Sequence, residues 1–291
     1  MRALIEAMRP YQWVKNLLVF APLIFAQRLF DTQQLLRATL AFAAFCLVAS
    51  GIYLLNDLRD IDNDRHHPEK CRRPLASGRL SPSVAWLALL VLEVLGLGIA
   101  WWEGFLWVPA LYFVVNLLYT YRLKHVVILD AMCVAIGFLL RVHAGGAAIG
   151  VPVSSWLTLC TFFVALLLAF CKRRHEILIL GEEGKSHRSA LEDYSLSFLD
   201  QMIAVLGGLT VMCYALYTVA PETERNLGTR DLVYTVPFVT YGIFRYLFLV
   251  HQRSEGGDPT RLLLKDKLTV LNIVLWFLAS CYILYHESWG I

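Results

Sequence analysis

Apolar residues run in nine long stretches, near positions 14–30, 35–55, 82–101, 104–121, 127–148, 155–171, 199–220, 232–250 and 268–286. Each approaches the roughly 20 residues that a helix needs to cross a bilayer. The pattern predicts an all-α polytopic membrane protein of about nine transmembrane helices, with residues 1–291 forming a single transmembrane helical domain. The first stretch fits least well. Pro22 interrupts it and Arg28 closes it, so a tilted or partly interfacial segment is expected there. Glu6, Arg9 and Lys15 break up the N-terminus where the apolar part of a signal peptide would lie, so no cleavable signal is expected.

Two connections are long and polar, 56–81 and 172–198, and the chemistry is expected in these loops. Basic residues orient them, because Lys and Arg of short loops are retained on the cytoplasmic side. The set of helix ends that includes both loops holds 20 Lys and Arg residues and the opposite set holds 4, with Arg141 and Arg245 inside apolar stretches. The N-terminus and both loops are therefore expected in the cytoplasm, the C-terminus outside, and the chain in a bacterial inner (plasma) membrane. Connections 102–104 and 147–155 on the other side are short and uncharged apart from Glu103, which argues against an outward-facing site.

Composition agrees: 58% hydrophobic residues, 17% charged residues and a mean hydropathy of +0.57 place the chain in a lipid bilayer. The net charge of +3 is modest, so nucleic acid is not an expected partner. Seven cysteines without a C-x-x-C pair read as small buried hydrophobes.

The second apolar stretch ends in Asn56-Asp57-Leu58-Arg59-Asp60-Ile61-Asp62-Asn63-Asp64. On a continuous helix Asp57, Asp60 and Asp64 stand at i, i+3 and i+7 in one narrow stripe, flanked by Asn56, while Asp62 points away. Carboxylates this close repel one another unless a cation sits among them, and hard oxygen donors suit Mg²⁺. A solvated acidic helix end neutralised by Arg59 and Arg65 is the plain alternative. The direct continuation from an apolar span, followed by Lys70, Arg72, Arg73 and Arg79, instead has the composition of a magnesium diphosphate site.

Asn56-Asp57-x-x-Asp60-x-x-x-Asp64 followed by Arg73-Pro74-Leu75-Ala76-Ser77-Gly78 resembles the first signature of the UbiA superfamily of intramembrane prenyltransferases. That resemblance spans nearly the whole chain. It implies a helical bundle around a central cavity, with Asp57, Asp60 and Asp64 as catalytic and metal-binding residues and Mg²⁺ as cofactor. Ordinary members move a prenyl group to an aromatic or other acceptor and carry a second aspartate-rich motif after helix 6. This chain departs from them there, reading Lys172-Arg173-Arg174-His175-Glu176.

Arg9-Pro10-Tyr11-Gln12-Trp13-Val14-Lys15-Asn16, His67-Pro68-Glu69-Lys70, Tyr121-Arg122-Leu123-Lys124-His125 leading to Asp130, Leu191-Glu192-Asp193-Tyr194-Ser195 and Leu264-Lys265-Asp266-Lys267 are similar to the decaprenyl-phosphate phosphoribosyltransferase branch. The likeness implies transfer of 5-phosphoribosyl from phosphoribosyl diphosphate to a polyprenyl phosphate within the lipid bilayer, with release of diphosphate; a UbiA-type prenyl transfer is the alternative. Candidate substrate-binding residues are Lys15, Asn56, Lys70, Arg73, Tyr121, Lys124, Asp130, Lys172, Arg173 and Glu176. The sequence does not divide the cations between donor and acceptor phosphates, and it leaves a homo-oligomer open.

Other residues have plainer readings. Lys15 beside Tyr11 and Trp13 is an interfacial anchor or a contact to lipid phosphate. Tyr112, Asn116 and Tyr119 share a helix face that serves packing or a ribose pocket. Arg141, deep in an apolar stretch, is expected to snorkel outward or to serve function. Gly145 and Gly146 read as close helix packing, and no histidine spacing suits zinc.

Overall fold

The computed structural model describes residues 2–66, 70–180, 193–252, 259, 262 and 265–286. His67, Pro68, Glu69, Leu191, Glu192 and Leu264 of the sequence motifs lie outside the described residues, as do the basic residues at 185, 188, 253 and 261.

All regular structure among the described residues is helical. The helices are α1 (Arg2–Met8), α2 (Ala21–Phe25), α3 (Thr32–Arg59), α4 (Ile61–His66), α5 (Pro82–Trp102), α6 (Trp107–Tyr121), α7 (Leu129–Ile149), α8 (Ser155–Leu180), α9 (Leu196–Val219), α10 (Pro221–Leu227), α11 (Val236–Gln252) and α12 (Lys267–Tyr285). Seven of the apolar segments, those built on α3, α5, α7, α8, α9, α11 and α12, are long and apolar enough to cross a membrane, and α6 is a shorter apolar helix of 15 residues. The chain is a multi-pass membrane protein. Stretch 14–30 is not one long helix: Pro10–Phe20 winds as a 3₁₀ helix and passes into the five-residue α2. The expected loop 172–198 is corrected too, since α8 continues through Lys172 and Glu176 to Leu180, and α9 begins at Leu196.

Helix ends are set by side chains that accept the first unpaired amides. Asp31 accepts from the Gln33 and Gln34 amides at 3.0 and 3.2 Å to start α3. Ser81, with Pro82 behind it, starts α5; Ser195 starts α9; Asp266 starts α12.

Two compact units emerge. The first comprises Met1–Pro22, Asp31–Lys124 and Leu140–Pro152. Its main contact is α3 against α5, made close by small residues: a Cβ on Gly96 would stand 2.7 Å from a Val48 methyl and 3.0 Å from the Ala44 carbonyl. Ala7 of α1, Leu54 of α3, Leu75 and Leu80 of the following loop and Ala85 of α5 pack together where the polar chemistry begins. The opposite side of α5 presents exposed Trp86, Leu87, Leu90 and Val94, a face suited to lipid.

The second unit comprises Leu23–Phe30, His125–Leu139 and Val153–Ile291. Leu167 and Phe170 of α8 pack on Leu199 and Ile203 of α9 and on Tyr246 and Leu249 of α11. Segment Leu23–Phe30 is held by Tyr285, whose hydroxyl donates to the Ile24 carbonyl at 3.0 Å and accepts from the Leu29 amide at 3.2 Å. Arg245, a cation inside a spanning helix, reaches the cap residue Asp266 at 2.8 Å. That hydrogen bonding holds the Asp266 carboxyl far below the ordinary carboxylate range.

Candidate active site

The aspartate stripe of the first unit forms with one correction. α3 does not run through to Asp64; it ends at Arg59, and Asp60 caps it with φ −101° and ψ 12° before α4 begins. The Asp60 amide still bonds the Asn56 carbonyl at 3.0 Å and the Asp64 amide the Asp60 carbonyl at 2.8 Å, so helical spacing survives the bend. Asp62 faces solvent and pairs only with Arg65 among the described contacts, as expected of the residue off the stripe.

Each carboxylate is met by a cation from another part of the unit. Arg9 and Arg73 both donate to Asp57, and the same Arg73 nitrogen lies 3.1 Å from Asp57 Oδ1 and 2.7 Å from Asp64 Oδ2. Lys124, just beyond α6, lies 2.8 Å from Asp60. The Asn56 side-chain amide is hydrogen-bonded to the Thr120 hydroxyl of α6, which also reaches the Asn116 carbonyl at 2.8 Å. Asp57 and Asp64 are buried, with side chains 2% and 6% exposed, whereas Asp60 is half-buried. Two buried carboxylates so close cost several kcal/mol unless compensated. Arg73 supplies the compensation from between them.

Arg73 is placed by the loop after α4. Its amide bonds the Lys70 carbonyl at 2.9 Å and its carbonyl accepts the Ser77 hydroxyl at 2.7 Å, and the chain then turns at Gly78, whose φ of +75° an L side chain would strain. Arg79 clasps Glu6 of α1 through both carboxylate oxygens at 2.7 and 2.8 Å, which holds the Glu6 carboxyl below its ordinary range. Arg9 follows α1 in the left-handed region at φ 54°, a common way to end a helix, and Pro10 continues away from it. Of the other candidates in this unit, Lys15 is half-buried on the 3₁₀ segment, Lys70 sits in a one-turn helix, and the Tyr121 ring is covered by Arg59 at 5.6 Å from its centroid.

Asp130, Lys172, Arg173 and Glu176 gather in the second unit. Arg173 is 2% exposed; its Nε donates to Asp130 Oδ2 and its Nη1 to Glu176 Oε2 at 2.8 Å. The Tyr194 hydroxyl donates to Asp130 Oδ1 at 2.9 Å and accepts the Ile128 amide at 2.7 Å. Burial pushes the Tyr194 hydroxyl well above the ordinary phenol range. Ile128 has φ 68°, a strained conformation for a β-branched residue, and that amide contact helps to hold it. Lys172 is half-exposed, 3.9 Å from Glu176. In the sequence Arg9 and Tyr194 stand within motifs but without partners, and Thr120 carries no signal, because a pairing between residues more than 40 positions apart leaves no local period.

The model of the UbiA prenyltransferase family matches residues 17–177, more than half of the chain. The chain belongs to this family. Among UbiA relatives, decaprenyl-phosphate phosphoribosyltransferase of Mycolicibacterium smegmatis is 36% identical over 94% of this chain and 89% of its own length. Its namesake in Corynebacterium glutamicum is 35% identical over 94% and 84%. A UbiA homologue from Archaeoglobus fulgidus bound to DMAPP and Mg²⁺ superposes with a TM-score of 0.70 over 97% of this chain and 98% of that one, at 20% identity, which establishes the UbiA fold.

Among the described residues no three His, Cys, Asp or Glu side chains stand close enough to hold a metal ion by themselves. The donor set nonetheless fits Mg²⁺ of the kind that binds through one or two carboxylates and takes its remaining ligands from phosphate and water. Asp57 and Asp64 already share one cationic nitrogen, and Asp60 stands beside them with a flexible lysine as partner.

Proposed function

We propose that this UbiA protein transfers the 5-phosphoribosyl group from phosphoribosyl diphosphate to a polyprenyl phosphate and releases diphosphate, with Mg²⁺ as cofactor. The observation that carries this reading is the end of α8. Where a second carboxylate cluster would serve a second metal, a buried arginine is locked between Asp130 and Glu176 and an exposed lysine stands beside it. Such a site suits a reaction rich in phosphate groups, and the identity to the mycobacterial and corynebacterial transferases over nearly the whole chain supports the same substrates.

Asp57, Asp60 and Asp64 would hold the metal, directly or through water, and when bound it neutralises charge that develops on the leaving diphosphate. Arg9, Arg73 and Lys124, which pair with these carboxylates, would be at hand for phosphate oxygens, so that carboxylates facing a metal and cations facing phosphates would leave few charges unmatched. Asn56, held by Thr120, would hydrogen-bond nearby. The acceptor phosphate is already anionic, so its oxygen attacks ribose C1 without a general base; the side chains supply alignment and charge, and inversion at C1 follows. Lys172 is the member of the second cluster open to a phosphate, while Arg173 and Glu176 hold it in place. The excess of basic residues on one set of loops supports a cytoplasmic aspartate cluster in an inner-membrane protein.

Purified protein given Mg²⁺, phosphoribosyl diphosphate and decaprenyl phosphate should form a lipid whose mass equals polyprenyl phosphate plus phosphoribosyl. Product formation from a prenyl diphosphate and an aromatic acceptor, with none from phosphoribosyl diphosphate, would overturn this reading in favour of ordinary prenyl transfer.

A further inference from the structure

Arg141 does not snorkel. It is 5% exposed within the spanning helix α7, its Nε donates to Asn16 Oδ1 at 2.7 Å, and its Nη2 donates to the Tyr112 hydroxyl at 2.7 Å with the guanidinium 4.8 Å from the Tyr112 ring centroid. A buried cation in a spanning segment is costly and is kept where it has work to do. The work becomes visible by following Asn16 along the chain.

Asn16 lies on the 3₁₀ segment Pro10–Phe20. At three residues per turn, Trp13, Asn16 and Val19 fall in one row. The segment and the residue before it are laced to a single stripe of α3. Asn16 Nδ2 donates to Cys46 Sγ at 3.2 Å, Trp13 Nε1 donates to Ser50 Oγ at 3.1 Å, and Arg9 covers the Tyr53 ring at 5.1 Å and donates to Asp57. Positions 46, 50, 53 and 57 are spaced i, i+4, i+7 and i+11, so the segment runs antiparallel to one face of α3 and ends on the aspartate site. α7 grips the same segment at a second point, one helical turn from Arg141: a Cβ on Gly145 would stand 1.9 Å from the Val19 carbonyl oxygen, so only glycine allows this approach.

Apart from the close approach at Gly145, nothing in a 3₁₀ helix of mixed apolar sequence fixes how far it slides along its neighbour, because its backbone bonds are internal and its apolar side chains meet lipid or protein alike. Directional polar contacts do fix it. We propose that Arg141 is a positioning residue for the aspartate site: by holding Asn16 it sets the register of the segment along α3, and so delivers Arg9 to Asp57 roughly 12–14 Å away along the segment. The proposal rests on the reading of Asp57 as part of a magnesium diphosphate site, and it does not depend on which group the diphosphate bears.

The test measures binding of Mg²⁺ with inorganic diphosphate to the purified full-length protein by calorimetry, for Arg9→Ala, Asn16→Ala, Arg141→Met and the Arg9→Ala/Arg141→Met double variant. Each single change should weaken binding by about tenfold, the scale of one charge-assisted hydrogen bond. The double variant should bind no more weakly than the weaker single, because removing Arg9 removes what Arg141 positions. A purely structural arginine would leave affinity within about twofold, or its effect would add to that of Arg9 to about a hundredfold; either result overturns the proposal. If Arg141→Met does not fold, Arg141→Lys carries the test, since a lysine cannot hold both acceptors in a fixed fork and should give part of the loss. Wild-type protein that binds no magnesium diphosphate would overturn the underlying site reading together with the inference. Wild-type binding that is equal in the variants overturns the inference alone.

Discussion

Two charged clusters of this protein are built on opposite plans. In the first unit three carboxylates of one helix end are matched by three cations from three separate segments: Arg9 before the 3₁₀ helix, Arg73 in the loop after α4, and Lys124 beyond α6. Those cations are partly exposed and are carried on turns and helix ends. In the second unit one arginine at the centre, itself buried, is held by Asp130 and Glu176, with Tyr194 completing Asp130. In the first arrangement each carboxylate meets a cation that is carried on a separate, partly exposed segment. The second cannot give up its arginine without leaving a fully buried aspartate uncompensated. The members of this basic motif thus differ in setting: Arg173 is buried between Asp130 and Glu176, whereas Lys172 is half-exposed beside Glu176.

That contrast can be broken most directly at Arg173. Arg173→Ala should destabilise the folded protein by about 3 to 5 kcal/mol, the cost of a buried pair losing one partner, seen as a large fall in the thermal midpoint in detergent. Little change in the midpoint, with loss of turnover, would move Arg173 into the substrate site. Asp57→Asn should do the reverse, cutting turnover by about 10² to 10³-fold while the protein remains folded, because the group it would hold acts on the leaving diphosphate. Lys124→Ala should be milder, about tenfold in turnover, since one partly buried cation is removed from a set of three. A loss as large as that of Asp57→Asn would give Lys124 a role beyond phosphate binding.

The smallest effect lies at the Glu6–Arg79 clasp between α1 and the Arg73 loop. The Glu6 carboxyl is held below its ordinary range chiefly by the Arg79 hydrogen bond, so the clasp contributes its stability above the unfolded value and loses it as pH falls through the folded one. Glu6→Gln should therefore flatten the fall of the thermal midpoint between about pH 5 and about pH 3 without changing it near neutrality by more than a few degrees.

Much of this architecture could be read along the chain. Seven of the nine apolar stretches correspond to single helices, and an eighth, 232–250, to a 3₁₀ helix Asp231–Thr235 that runs into α11, because apolar length is a local property that the bilayer enforces by leaving backbone groups no partner but one another. The exception, 14–30, shows what length alone misses. Trp13 just before it and Asn16 within it are bonded to α3, and at three residues per turn Trp13, Asn16 and Val19 stay in one row. The aspartate stripe was equally legible, since i, i+3 and i+7 describe a face whether or not the helix bends at Asp60.

The sequence alone determined the membrane class, most of the helical elements and the carboxylate stripe, which depend on periodicity over about 20 residues, and the family signature, a run of residue types over 56–78. Tertiary structure decided which charges meet. Arg9 finds Asp57 across 48 positions, Lys124 finds Asp60 and Thr120 finds Asn56 across 64, Arg173 finds Asp130 across 43, and Arg141 finds Asn16 across 125. No spacing encodes such pairs. They are chosen by the packing of helices that the charges themselves do not drive, and by the cost of burying any one of them alone.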